Sequence, residues 1–163
     1  MISRAKPQPS GPWSIDPRTM AKSRTPPIYT TPGDAALAFY RAFEAKDIEA
    51  MMATWADDEE IVCVHPGGSR LVGYGAVRAS WEQLFAGDSK LKFELDQVVS
   101  IETVGLAMQS AVEHVSLAGE RSSRGSAFAT NVFLRTPSGW RLVMHHASPA
   151  PAKSIAQAAG PLH

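Results

Sequence analysis

Asn131-Val132-Phe133-Leu134-Arg135, followed by Gly139-Trp140-Arg141-Leu142-Val143-Met144-His145-His146-Ala147-Ser148-Pro149, is the stretch on which the fold turns. Two apolar-rich runs flank Pro137-Ser138-Gly139, which is the pattern of two strands joined by a tight connection. Side chains alternate faces along a strand, so Asn131 and Phe133 share one face of the first run. Leu142, Met144, His146 and Ser148 share one face of the second, and His145 turns the other way. By this parity an amide, an imidazole and a hydroxyl enter one apolar concavity. That grouping fits a small-molecule pocket and equally a few hydrogen-bonded core groups.

Working outward, Thr31-Pro32-Gly33-Asp34 reads as a helix start, with Thr31 as cap, Pro32 in the first turn and Asp34 at the positive end of the dipole. Ala36, Leu37, Tyr40 and Phe43 then give a buried stripe through Ala45. Asp47 caps a short second helix, Ile48 to about Trp55, with Ile48, Met51, Met52 and Trp55 inward. The acidic run 57–60 closes it. Short strands at 61–65 and 70–72 flank Pro66-Gly67-Gly68. A third helix runs from Gly73 to about Gly87 with Val77, Trp81, Leu84 and Phe85 on one face. Four long strands follow, near 91–103, 105–117, 124–136 and 139–148. Helices first and strands after predict an α+β fold, with helices on one face of a curved antiparallel sheet and a conical hollow between them.

The chain has 163 residues, 44% of them hydrophobic, enough for one folded unit of roughly 100–150 residues with tails. Zero formal net charge gives no general pull toward nucleic acid or anionic membrane, and no run is long and apolar enough to span a bilayer. The single cysteine, Cys63, forms no internal disulfide and suits a reducing compartment. With no secretory signal pattern, a cytoplasmic location is expected. Residues 1–30 carry five basic residues against Asp16, a net +4, and six of the twelve prolines. They read as a disordered basic arm, 31–150 as the domain, and 151–163 as a flexible tail.

Asp47-Ile48-Glu49-Ala50, Trp55-Ala56-Asp57-Asp58, His65-Pro66-Gly67-Gly68, Gly73, Trp81, Ala129-Thr130-Asn131-Val132-Phe133, Gly139-Trp140-Arg141-Leu142 and His145-His146-Ala147-Ser148-Pro149, in this order, resemble the SnoaL-like domain of the nuclear transport factor 2-like superfamily, which also contains ketosteroid isomerase. The likeness spans residues 31–150. It implies a cone-shaped α+β barrel packed on three N-terminal helices, a deep pocket, and dimerisation through the outer face of the sheet. Function varies across this superfamily, from isomerases to catalytically silent binding modules. In the isomerase pattern the catalytic aspartate falls on His65, before Pro66. The protonated acid of the oxyanion hole falls on Asn131. The phenol falls near Phe39, with Tyr40 one residue away and directed elsewhere on the helix. Steroid isomerisation by that mechanism is therefore not expected.

His65 is the leading candidate to move a proton, since imidazole titrates near neutrality; it also suits a strand-ending structural role. Asn131 can steady an oxyanion, or pin neighbouring strands, with Ala127 and Ala129 leaving room on its face. His146, inward by parity and by the resemblance, is the second candidate imidazole. Of Glu113 and His114 one faces in, and the register about Gly119 leaves open which; an inward Glu113 can orient His146 or His65. Trp55, Trp81 and Ser148 are expected on the pocket wall, with core packing as the ordinary reading of the indoles. Cys63 shares a face with His65 but suits a small buried hydrophobe. No H-x-H or H-E-x-x-H spacing occurs, so no metal is expected. Pro66-Gly67-Gly68-Ser69 lacks the lysine and helix of a phosphate loop, and no other cofactor is implied. Two functions remain: a small-molecule-binding protein or cofactor-free acid–base enzyme for an apolar carbonyl compound, and a non-catalytic homodimeric interaction module.

Overall fold

Thr31 Oγ1 accepts from the Asp34 amide at 3.0 Å while Asp34 Oδ2 accepts from the Thr31 amide at 3.1 Å, a reciprocal box that starts helix α1 (Pro32–Ala45). The chain leaves α1 through Lys46 in the left-handed region (φ 53), and Asp47 Oδ1 takes the Ala50 amide at 2.9 Å to begin α2 (Ile48–Thr54). Strands β1 (Val62–Val64) and β2 (Arg70–Val72) and helix α3 (Tyr74–Phe85) follow. Among the described residues four long strands follow, β3 (Leu91–Glu102), β4 (Leu106–Leu117), β5 (Gly125–Thr136) and β6 (Gly139–Pro149). This computed structural model describes residues 26–119 and 125–151.

One six-stranded sheet has the order β2-β1-β6-β5-β4-β3. The sheet is antiparallel, as expected, apart from the join of β1 and β6, which run parallel. The long strands bend at two irregularities. One lies between Asp96 and Val99 on β3, where Gln97 takes φ 51. The other lies between Val132 and Phe133 of β5, whose partners are Met144 and Leu142, so Val143 is the extra residue on β6. An added residue kinks its strand and strengthens the local twist, which wraps the sheet round the helices.

Phe39, Met51, Trp55, Ile61, Val77, Trp81, Phe133 and Leu142, each at most 2% exposed, fill the space between helices and sheet. Phe39 replaces Leu37 in the predicted α1 stripe. Leu37 is 49% exposed, and Leu84 of α3 is similarly turned out. Residues 26–30, assigned above to a disordered arm, form a strap instead. Tyr29 is buried and bridges Gly139, its carbonyl accepts from the Trp140 amide at 2.9 Å, and Arg141 donates to the Pro27 carbonyl at 2.8 Å. Arg141 also lies 5.0 Å above the Tyr29 ring. The rest of the predicted arm, 1–25, and the tail from 152 onward lie outside the described residues. Among the described residues no helix is long and apolar enough to cross a membrane.

Candidate functional site

Four buried polar side chains from four elements form one hydrogen-bonded chain inside the cone. Tyr40 Oη on α1 donates to Glu113 Oε1 on β4 at 2.7 Å, Asn131 Nδ2 on β5 donates to Tyr40 Oη at 3.2 Å, and His145 Nδ1 on β6 meets Asn131 Oδ1 at 2.7 Å. All four are less than 10% exposed. Sheet register explains the meeting, because Asn131 stands opposite Gln109 on one side and His145 on the other, while Glu113 stands opposite Ala127. Ala127, Ala129 and Ala147 are small and buried beside them.

With Glu113 ionised, hydrogen counting fixes the direction. The one phenolic proton of Tyr40 goes to the carboxylate, so its oxygen accepts from the Asn131 amide, and the Asn131 carbonyl accepts from His145 Nδ1–H. His145 is thereby the Nδ1–H tautomer, with Nε2 as its lone-pair nitrogen. Burial, helped by His65 and His146 nearby, drives the His145 pKa down to about 3, so the ring is neutral at ordinary pH. Burial raises Glu113 above the usual carboxylate range, against the Tyr40 hydrogen bond, which lowers it. Burial, then the adjacent Glu113 charge, raises the Tyr40 phenol.

His65 lies at the end of β1 in a second polar group. Ser80 Oγ on α3 gives its proton to the Val77 carbonyl at 2.7 Å and so accepts from His65 Nε2 at 3.2 Å. This leaves His65 Nδ1 with a free lone pair. The half-buried ring meets Trp81 edge-on at 4.6 Å between centroids, and burial holds its pKa below the ordinary histidine value. Cys63 Sγ is 3.8 Å from His65 Nε2, but burial pushes the thiol up to about 12, which makes it a neutral core group.

Among the sequence-predicted residues, His65, Asn131, Glu113, Trp55 and Trp81 all turn inward. His146 and Ser148 do not: both are exposed on the outer face of the sheet, where His146 stands opposite Thr130 and Val64. The cause is the extra residue Val143, which reverses alternation along β6 and sends His145 and Ala147 inward instead. Glu113 is the inward member of its pair. It orients neither His65 nor His146 directly but reaches His145 through Tyr40 and Asn131. His114 bonds Ser126 Oγ at 2.8 Å on the outer face. Tyr40, expected to point away, supplies the phenol. Helix α1 buries both Phe39 and Tyr40, a stripe wide enough for two adjacent positions.

Trp55 and Trp81 are 2% and 0% exposed, pack on Phe39 with centroids 6.4 and 5.5 Å from its ring, and carry buried Nε1–H groups without a hydrogen-bond partner. A buried donor without an acceptor is costly in a folded protein. Gln109 Oε1 is also buried without a partner. It borders two adjoining clefts of about 380 and 240 Å³, between α1 and the β3–β4 hairpin. A wider groove of about 960 Å³ lies on the other side of α1, against α2 and the strap, and holds none of the candidate residues. Among the described residues no three His, Cys, Asp or Glu side chains are placed to hold a metal ion.

A family model described as the SnoaL-like domain matches residues 34–153. A candidate calcium/calmodulin-dependent protein kinase type II association domain from Thiobacillus denitrificans is 37% identical, with 77% of this chain and 99% of that one covered at a TM-score of 0.73. A candidate dehydratase of the NTF2-like family from Streptomyces avermitilis is 36% identical, with 74% and 94% covered at 0.66. Among curated proteins, the F-box protein SKIP8 of Arabidopsis thaliana is 24% identical over 110 residues, 68% of this chain; the match spans 46% of that longer protein's length.

Proposed function

The chain belongs to the SnoaL-like domain family, and from that premise we propose that it binds a small, apolar, carbonyl-bearing molecule and acts on it by cofactor-free acid–base chemistry. The observation that carries this reading is the pair of buried, unpartnered indole N–H groups of Trp55 and Trp81, the second of which belongs to a ring set edge-on to His65. A carbonyl oxygen satisfies such donors, and a donor held ready in a dry site stabilises an oxygen as it gains charge. His65 Nδ1 is the base in this scheme. It takes a proton from the carbon next to the carbonyl, the C–H electron pair moves toward the oxygen, and the imidazolium returns the proton. Asn131, whose carboxamide is engaged with Tyr40 and His145, holds that neighbouring imidazole in one tautomer. The relative described as a dehydratase is compatible with proton chemistry in this interior.

Melting curves and exchange in D₂O test the proposal. Cyclohexanone or coumarin at saturating concentration should raise the melting temperature and quench tryptophan fluorescence. For cyclohexanone, deuterium should enter the α-carbon at a rate that His65→Ala lowers about 100-fold or more, with the melting shift retained. Absence of any shift across a panel of cyclic ketones and lactones, together with wild-type melting for His65→Ala, overturns it.

A second reading, a homodimeric association module, has its own support. Val99, Ile101, Leu106, Phe128 and Leu134 are 40–58% exposed and, by register, lie on the same outer sheet face as Met108, Val132 and Met144. A contiguous apolar face of this kind suits a second copy of the chain. The relative described as an association domain agrees with it. Sedimentation at micromolar concentration tests the dimer, and ligand binding by the interior separates the two readings.

A further inference from the structure

Gln109 stands where two clefts adjoin. The clefts of about 380 and 240 Å³ share Gly33 and Gln109; the larger runs past Tyr40 to Phe93 and Leu95, and the smaller past Ala107 to Phe133. Gln109 lies on the inner sheet face, opposite Asn131 on β5 and Ser100 on β3. The irregularity at Gln97 bends β3 between Leu95 and Ser100, which flank the two clefts. At this junction the Oε1 atom of Gln109 is buried and accepts no hydrogen bond. A carbonyl lone pair withdrawn from water needs a donor, and no side chain lining the clefts, Arg41 and Ser100 included, is bonded to it.

We infer that the α1–β3–β4 seam is a binding slot for a flat or elongated apolar molecule bearing one hydrogen-bond donor, a hydroxyl or N–H, that meets Gln109 Oε1. This goes beyond the proposed function, which concerns an acceptor oxygen near Trp55 and Trp81; it shares only the premise that the ligand is a small molecule. The volumes suit a ligand of two or three fused rings. Tyr40 belongs both to the cleft wall and to the hydrogen-bonded chain that ends on His145, so a molecule seated in the slot touches the interior network at its phenol.

Two probes with the same ring system, one with and one without the proton, isolate the donor. 2-Naphthol carries a phenolic proton, and 2-methoxynaphthalene keeps the ring system without it. Titrated against the full chain and followed by amide NMR, 2-naphthol should bind about tenfold more tightly, equivalent to about 1.4 kcal/mol. Shifts should gather at Gly33, Ala36, Leu95 and Ala107. Gln109→Leu should erase the preference between the probes and, by removing the unpartnered acceptor, melt about 2–4 °C higher than wild type. Equal binding of both probes overturns the inference, as does binding whose shifts centre on His65 and Ser80. Failure of both probes to bind overturns it as well, whatever the variant does to melting. If cyclic ketones still raise the melting temperature in any of these cases, only the slot falls and the interior carbonyl site stands.

Discussion

His145 Nδ1 lies 2.7 Å from Asn131 Oδ1, and the two residues stand directly opposite one another on β6 and β5. The pairing makes Asn131 the hinge of the buried chain, since its carbonyl takes the imidazole proton while its amide serves the Tyr40 oxygen. Removing it strands groups on both sides.

Asn131→Leu therefore should cost about 2–4 kcal/mol of folding stability, more than a single lost hydrogen bond, because His145 Nδ1–H and Tyr40 Oη are both left buried without it. Asn131→Asp should be comparably disruptive, since it replaces the amide donor by an anion near the Glu113 carboxylate. Urea denaturation measures both. A loss below about 1 kcal/mol for Asn131→Leu would mean that the hydrogen-bonded chain contributes little.

The pH dependence follows from His145 and has a definite sign. Its folded pKa of about 3 lies below the ordinary histidine value of 6.5, so on acidification the unfolded chain takes up a proton that the folded chain refuses. Stability from this group is complete above about pH 6.5 and is lost as the pH falls toward 3, at up to ~1.4 kcal/mol per pH unit. His65, lowered by burial, acts in the same direction. Glu113, raised by burial, acts oppositely: its contribution is present at low pH and is lost as pH rises through its folded value. Unfolding free energies at pH 7.5, 6 and 5 should decrease in that order, and His145→Gln should flatten the trend. A wild-type protein equally stable at pH 7.5 and 5 would contradict a neutral buried His145.

Most elements were readable from caps and periodicity. Thr31, Asp47 and the strand runs place every helix and strand within a few residues of the observed bounds, because those signals are local. The interior was less legible, and Val143 shows why. An inserted residue in a strand leaves no local mark, since Val-Met-His-His alternates plausibly in either phase, and only pairing with Val132 and Phe133 sets which imidazole enters. Tyr40 was misdirected for a related reason: resemblance aligned the phenol to Phe39, whereas α1 buries both residues. Glu113 over His114 depended on the register with β5, a contact of fourteen residues' separation from Ala127 that a single sequence does not specify. Gln109 carried no signal at all, because its significance lies in lacking a partner.

The reversed phase on β6 gives a paired test. His145→Ala should cost about 2–4 kcal/mol, since it opens a cavity beside Phe39 and leaves the Asn131 carbonyl without its donor. His146→Ala, at an exposed position, should change monomer stability by no more than about 0.5 kcal/mol. Thermal melts of the two variants side by side decide it. The opposite ranking would return His146 to the interior.

On the outer face, Ile101→Glu and Leu134→Glu place charges on the apolar surface proposed to meet a second copy. Both sites are 40% or more exposed in the single chain, so the fold should tolerate the change while association does not. Sedimentation velocity should show a dimer for wild type and a monomer for the double variant, with unchanged circular dichroism. A wild-type monomer at micromolar concentration removes the basis for this interface.

Gly139 supports the strap by close approach. Its φ is +97, and a Cβ there would lie 2.6 Å from the Tyr29 carbonyl oxygen and 3.0 Å from the Tyr29 nitrogen, so backbone would have to move. The Trp140 amide bonds that same carbonyl, so displacing Tyr29 also breaks the strap's attachment to β6. Gly139→Ala should cost about 1–3 kcal/mol from strain and lost contacts. It should also accelerate proteolysis near residues 26–30, since detachment exposes Tyr29 and frees the strap backbone from β6. Gly105→Ala is the control: nothing lies within 4 Å of its added Cβ, so both readouts should stay at wild type. Equal protease resistance in the two variants would show that the strap is held without the close contact at Gly139.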